Sequence, residues 1–412
     1  MHDVIVIGGG AAGLAAAVRA ASLGASTLLL ERGPRAGRKL LLTGGGRCNL
    51  TCDRDAASFV RDCGPSARFL HNAVGRFDPA ATRAWFADLG VPTVREPDGR
   101  CFPASGRSLD VLAALERAAH RAGAGMAFES RVSAIAPVPG GFRVETGRAC
   151  HDARTVVLAS GGRSFPGTGS SGDGYDLAAS LGHRMVAPRP GEVPLVCGPR
   201  WLHDLSGLGL PDVGARFAQG RRAVRLRGGI LFTHFGVSGP VVLDGSRLVA
   251  HWFDDGPVTL ALDLAPDLTA ADLDARLASA AGASGSRHLK SLLRDFVPER
   301  LAASLVSRVL PGQDGPVARL PADRRRAAAA MLKSLQLVVS GTRGFEEAVV
   351  TVGGVGLDQV HPGTLESRLV PGLHFAGEVL DLDGPRGGYN LQIAWSTGHA
   401  AGAHAAVAST SG

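Results

Sequence analysis

VIVIGGGAAGLAAA, residues Val4–Ala17, decides the fold. Val4–Ile7 is a β-branched run that reads as a buried parallel strand. It breaks at Gly8, Gly9 and Gly10, after which Ala11–Ala21 reads as a helix of small residues. Gly8, Gly10 and Gly13 fit G-x-G-x-x-G: the first allows the tight turn, the second lets backbone approach a pyrophosphate, and the third lets the helix lie close on the strand. The helix N-terminus adds unpaired N–H groups and the positive end of a dipole. A second strand, Ser26–Leu30, ends at Glu31, about 20 residues past the glycines, where a carboxylate can accept hydrogen bonds from a ribose diol. Strand, glycines, helix, strand and acid in that order specify a dinucleotide site in an α/β fold.

Working outward, 412 residues exceed one ordinary domain. A chain 45% hydrophobic and 20% charged fits a soluble globular protein. No run approaches the roughly 18 apolar residues of a membrane span. Val4–Ala17 has no basic flank and is interrupted by glycines, so no signal peptide is expected and a cytoplasmic location, away from membranes, follows. The net charge is +7, carried by many arginines and by Lys39, Lys290 and Lys333. These residues are scattered apart from 221–227 and 324–326, so compositional bias explains them better than a nucleic-acid footprint does. Cys48 and Cys52 lack a zinc spacing and a histidine pair, so reduced thiols and no metal site are expected.

Gly37–Thr51, GRKLLLTGGGRCNLT, places three glycines beside Arg47 and Asn49, suited to lining a phosphate or a flat ring. Residues 69–90 read as helical with a start at Asp78-Pro79. Residues 91–102 read as a hairpin turning at Pro97-Asp98-Gly99, and 107–121 as an amphipathic helix. Strands are expected at 125–132, 142–145 and 155–159, the last running into Ser160-Gly161-Gly162. A second fingerprint, Gly167, Gly169 and Gly172, follows no strand directly and precedes none that ends in an acid. It is read as a turn capping a helix from Asp173 beside the same cofactor. Residues 193–264 are strand-like and 268–337 helical, with no fixed repeat. Residues 348–355 return to buried-strand character. His374–Gly402 then supplies Gly377-Glu378, Asp381, a Gly387-Gly388 turn and a long apolar helix from about Leu391.

Reduction of a flavin leaves negative charge around N1 and the C2 carbonyl, and a helix N-terminus aimed there stabilises it without a titrating group. GPRGGYNLQ, at the far end of the chain, offers such an amide cluster, while the first βαβ unit serves the ADP half. Both chain ends must then meet in one sheet, with the β-then-α middle inserted between them.

With these residues in hand, the chain resembles the HI0933-like, or BaiN-like, family of bacterial NAD(P)/FAD-dependent oxidoreductases. VIGGGAAGLAAA, GRKLLLTGGGRCNLT, ASGGRSFPGTGSSGDGY, FTHFGVSGP, AVVTVGGV and AGEVLDLDGPRGGYNLQIAWSTG carry the likeness nearly end to end. It is similar, more distantly, to fumarate reductase flavoprotein subunits and tRNA-modifying flavoproteins. The resemblance implies a split Rossmann-like FAD domain of the two-dinucleotide-binding type: residues 1–190 and 343–412, interrupted by a β-barrel-like module at 191–266 and a helical one at 267–342. By position it implies that Gly8, Gly10, Ala12 and Gly13 hold the pyrophosphate, Glu31 and Arg32 the adenosine ribose, and the Val132 backbone the adenine. Arg38, Lys39, Gly45, Gly46, Arg47 and Cys48 would line the cofactor, beside Gly161. Gly377, Glu378, Gly388, Tyr389, Asn390 and Leu391 would hold the ribityl chain and flavin, with Asp381 a further hydroxyl acceptor. Activities linked to this fold include a bile-acid-intermediate reductase and an aminoacetone oxidase.

His234 in FTHFGVSGP is either a cap for its turn or a general acid. Tyr389 either packs on the flavin or orients and protonates substrate. Arg343 and Arg386 are anion holders or surface residues, and His374 and Trp395 are core. The expected function is an FAD-dependent oxidoreductase taking hydride from a transiently bound NAD(P)H to a small organic substrate. An oxidase of a small amine or amino ketone releasing hydrogen peroxide, and an RNA-associated flavoprotein, are the alternatives. Oligomeric state is not legible.

Overall fold

The computed structural model describes all residues but 65–66, 199, 284–286, 310, 312–315, 317–319 and 411–412. The chain forms two compact units, Met1–Pro190 with Ala348–Gly412, and Gly191–Glu347.

In the first unit, the strand His2–Ile7 pairs in parallel with Thr27–Leu30 on one side and Cys150–Leu158 on the other. Gly125–Ala127 extends the sheet beyond Thr27–Leu30. Cys150–Leu158 is long enough to serve two partners along its outer edge. Its beginning pairs antiparallel with Gly141–Thr146 and through it Val132–Val138, while Val156–Leu158 pairs in parallel with Leu373–Phe375. The sheet therefore holds the chain's second residue and its 375th, the convergence that the flavin argument requires.

Ala11–Ser22 and the last helix, Tyr389–Thr410, pack together through small residues. A Cβ on Gly398 would lie 2.3 Å from the Ala12 carbonyl oxygen, and one on Gly402 would lie 2.3 Å from that of Ala16. Two glycines one helical turn apart thus let the backbones approach more closely than any side chain allows. Trp395, fully buried, donates its indole N–H to the Leu50 carbonyl (3.0 Å) and stays in the core, as its apolar setting suggests.

The second unit is built on a closed six-stranded antiparallel barrel: Leu195–Cys197, Gly236–Ser238, Arg222–Thr233, Gly209–Gln219, Val258–Asp263 and Leu335–Thr342. Inward residues alternate with outward ones, Val258, Leu260 and Leu262 facing Val339, Leu337 and Leu335. Among the described residues, four helices lie between the last two strands. The reading of 268–337 as helical is corrected at its end. LQLVVSGT has a period of two and is the strand that closes the barrel. Within the stretch expected to be strand-like, Arg222–Thr233 is one strand, continuous through Gly228. No helix among the described residues is long and apolar enough to cross a membrane, and no cluster there could hold a metal ion.

Candidate functional site

The site is built in the first unit, around the turn after His2–Ile7. Gly8 has φ +104°, and its backbone abuts the Ala159 carbonyl. A Cβ on Gly13 would lie 1.8 Å from the Gly8 carbonyl oxygen, so the helix starts as close to the strand as a glycine permits. Beside Gly10 there is open space, and Gly10 caps the helix without a side-chain partner. The first-turn amides, Ala12 and Gly13 among them, are therefore free to meet an anion. Glu31 braces this turn. One carboxylate oxygen accepts from the Gly9 N–H (2.7 Å) and the other from the Gly33 N–H (2.6 Å), leaving each a further lone pair.

The second glycine fingerprint belongs to this assembly. Arg32 donates to Ser171 and to Asp173 (2.9 Å), and Arg38 donates to the Gly167 carbonyl (2.8 Å). The helix Asp173–Ser180 starts at Gly172, where the sequence places it. Gly161, at φ +76°, and Val132, at the head of its strand, lie in the same unit.

The loop 40–48 runs through left-handed backbone at Gly44, Gly45, Gly46 and Cys48, with open space beside Gly45. Arg47 does not swing free: it pairs with Glu96 (2.7 Å) and lies 3.9 Å over the Phe102 ring. Cys48 is fully buried, and burial pushes its thiol up to about 12, so it acts as an inert packing residue.

One network ties four segments of this unit together. Lys39 donates to Ser164 and pairs with Glu378 at 2.7 Å. Glu378 also accepts from the Ser164 hydroxyl (2.9 Å) and the Thr351 N–H (2.6 Å), while Thr351 Oγ1 accepts from the Arg163 N–H (2.8 Å). Lys39 and Glu378 were both legible in the sequence. Ser164 and Thr351 lie inside quoted family stretches, but nothing in those stretches marks them out, and their role becomes visible only when distant segments are brought together.

At the other chain end, Gly377 and Gly388 both have positive φ. Gly388 packs against Thr51, where a Cβ would be 2.4 Å from the carbonyl oxygen. Asn390 closes its own turn, accepting from the Gly384 N–H (2.9 Å) and donating to the Gly384 carbonyl (3.0 Å). The Asp381 N–H donates to the Val355 carbonyl (3.1 Å), and Leu391 is half-buried in the first helical turn. Tyr389 stacks on Phe59, centroids 4.7 Å apart, and donates its hydroxyl to Asp62 at 2.6 Å. Burial and that acceptor hold the phenol above its ordinary range. Arg386 is half-buried in the turn before it.

His234 belongs to the second unit. It is exposed at the two-residue tip between Thr233 and Gly236, and its imidazole makes no hydrogen bond among the described residues, so it does not cap that turn. Arg343 is engaged, with Glu347 (2.8 Å) and over the Phe235 ring (4.7 Å). His374 is buried, with Nδ1 on the Thr364 carbonyl (3.1 Å) and Nε2 without a partner among the described residues. It is core, and only half satisfied.

These residues fit FAD. Open backbone beside Gly10 and Gly45, a buried Asn49 oxygen with no donor among the described residues, and a glycine-led helix N-terminus at Gly388 are what its pyrophosphate and ring system require. Residues 2–404 match the HI0933-like protein Rossmann domain family. The chain belongs to that family. This HI0933-like chain is 32% identical to the 3-dehydro-bile acid delta(4,6)-reductase of Clostridium scindens, over 98% of its own length and 99% of the relative's. It is 31% identical to the ribosomal RNA dihydrouridine synthase of Escherichia coli, over 96% of each. Its fold is shared with the 3-ketosteroid delta1-dehydrogenase from Sterolibacterium denitrificans, at TM-score 0.53, 14% identity and coverage of 98% and 99%. The HI0933-like chain is an FAD-dependent oxidoreductase.

Proposed function

We propose that this enzyme takes hydride from NAD(P)H and reduces a carbon–carbon double bond conjugated to a carbonyl in a small organic acceptor. The observation that carries this reading is a chemistry common to the two relatives described above. Each is named for hydrogenating such a bond, one in a 3-oxo bile acid and one in uridine. When bound, FAD supplies the two-electron relay between nicotinamide and acceptor. The chain's own part is electrostatic and positional. The amides at Gly388–Asn390 offset negative charge at the flavin end, and those at Ala12–Gly13 hold the pyrophosphate. Arg32 and Arg38 fasten the second glycine turn beside Glu31, which supports reading that turn as part of the FAD cradle, with NAD(P)H proposed to bind transiently. The acceptor gains hydride at its β-carbon and a proton at its α-carbon. Tyr389 commits its hydroxyl to Asp62, and His234, the other acid that the sequence offers, is the proposed donor of that proton.

Anaerobic NADH or NADPH is expected to bleach the FAD-loaded protein, and a conjugated enone to restore its colour. No bleaching with either nicotinamide, together with peroxide release on adding small amines, would replace the reductase with an amine or amino-ketone oxidase.

A second reading, a uracil in RNA as acceptor, is favoured by one surface observation. Arg216 and Arg225 face each other directly across two barrel strands, and neither has an ion-pair partner among the described residues. Like charges so placed repel, and a phosphate between them would relieve this. RNA binding that weakens steeply with salt, and less steeply in Arg216→Gln/Arg225→Gln, supports this reading. Absence of RNA binding removes it.

A further inference from the structure

We propose that the Asn49 carboxamide oxygen accepts the N3–H of the flavin and so selects the cofactor's pyrimidine edge. The inference rests on the reading that this cradle holds FAD. Asn49 Oδ1 is buried and has no hydrogen-bond donor among the described residues. A buried acceptor left this way costs free energy unless a ligand supplies the donor. Its backbone is fixed: the Cys48 N–H bonds the Thr43 carbonyl (2.9 Å), the Leu50 N–H bonds the Cys101 carbonyl (2.9 Å), and Gly44 packs on the Asn49 nitrogen.

The segment around it is fastened to the start of the last helix. Thr51 donates to Gln392 (2.6 Å), Leu50 accepts from Trp395 (3.0 Å), and Gly388 rests on the Thr51 backbone. Asn49 thus stands beside the amide cluster at Gly388–Asn390. Those amides suit the flavin's N1 and C2 carbonyl, which are acceptors. The next atom round the ring is N3, the one ring N–H of an oxidised isoalloxazine. A helix terminus that donates and a neighbouring side chain that accepts together match the acceptor–donor order of that edge. Arg47 is donor-only and held by Glu96 and Phe102, and the Cys48 thiol is buried, so neither side chain supplies the acceptor.

The test compares binding of FAD and 3-methyl-FAD, which lacks the N3 proton, to the full-length apoprotein by flavin fluorescence. Wild type is expected to prefer FAD by about ten- to a hundredfold, the scale of one unsatisfied buried hydrogen bond plus steric exclusion of the methyl group. Asn49→Ala is expected to bind FAD more weakly and lose most of that preference. Asn49→Asp is expected to keep it while making the bound flavin harder to reduce, since it retains an acceptor and adds negative charge. Equal binding of both flavins by wild type overturns the proposal without any variant, and so does a preference undiminished in folded Asn49→Ala. Failure of both flavins to bind overturns the FAD reading itself, which is a different result.

Discussion

In the first unit two helices meet backbone on backbone, Gly398 against Ala12 and Gly402 against Ala16, whereas in the second unit the helix Pro240–Leu248 meets the barrel through a side chain, Gly245 lying under the Phe217 ring. A ring can slide by a few tenths of an ångström, but two helices locked to one sheet cannot. The difference matches what each unit must hold. A dinucleotide cradle needs amides fixed to a fraction of an ångström, while a barrel interior needs only filled volume. The sharpest way to break this comparison is Gly398→Ala. In a free helix that change gains about 1 kcal/mol. Here it is expected to cost about 2–4 kcal/mol and release FAD, because the methyl group meets a carbonyl oxygen at 2.3 Å. Gly209→Ala in the barrel, whose nearest neighbour is 3.8 Å away, is expected to stay within about 1 kcal/mol. Denaturation of both variants, followed by flavin retention, decides between the two. A neutral Gly398→Ala would mean the helices can part.

Acid separates the units next. His183, His374, His399 and His404 all lie in the first unit, and burial lowers each imidazole. For His374 the value falls from 6.5 to about 4. The unfolded chain therefore takes up the proton first. The contribution is whole above pH 6.5 and drains away as pH falls toward 4, by on the order of 3 kcal/mol at that one residue. His374→Gln should flatten the pH dependence of first-unit stability. An unchanged slope would mean His374 is solvated in the native state.

Breaking the Lys39–Glu378 pair should have a smaller effect. The partners are about a quarter exposed, so Lys39→Met is expected to cost about 1–3 kcal/mol, less than a fully buried pair would, and to weaken FAD binding. Tyr389→Phe removes one hydrogen bond to a carboxylate that Arg54 still faces at 3.5 Å. Its cost should be about 1 kcal/mol, with turnover kept, as expected of a ring that packs on Phe59. Loss of turnover with FAD retained would instead make the hydroxyl part of the chemistry.

The same contrast governs what the sequence could reveal. The βαβ turn was legible because its glycines answer local requirements, and every constraint on Gly8, Gly10 and Gly13 lies within a few residues or on the adjacent strand. The C-terminal helix start was legible for the same reason. Ser164 and Thr351 were not, since what selects them is a carboxylate more than 20 residues away in either case. The barrel was visible only as texture. Its closing strand follows the helices, and nothing in LQLVVSGT says which edge it must find. Tyr389 stood out as a rare residue in a cofactor motif, but its partner Asp62 sits on a helix that no motif marks.

On stability the smallest effect is expected at His234. The tip it occupies is held by its neighbour. The Phe235 carbonyl accepts from the Cys197 N–H (3.0 Å), and the ring lies under Arg343. Thr233 pairs with Gly236 whatever side chain stands between them. His234→Ala should therefore stay within about 0.5 kcal/mol of wild type. Because the fold does not use this imidazole, any change in rate reads its chemistry alone. If it delivers the proton, turnover with an enone should fall about a hundredfold while bleaching by NAD(P)H is untouched, since hydride arrival needs no acid. His234→Asn, which keeps a polar donor but cannot release a proton, should behave like alanine. Undiminished turnover in both variants would leave protonation to water and remove the histidine from the site.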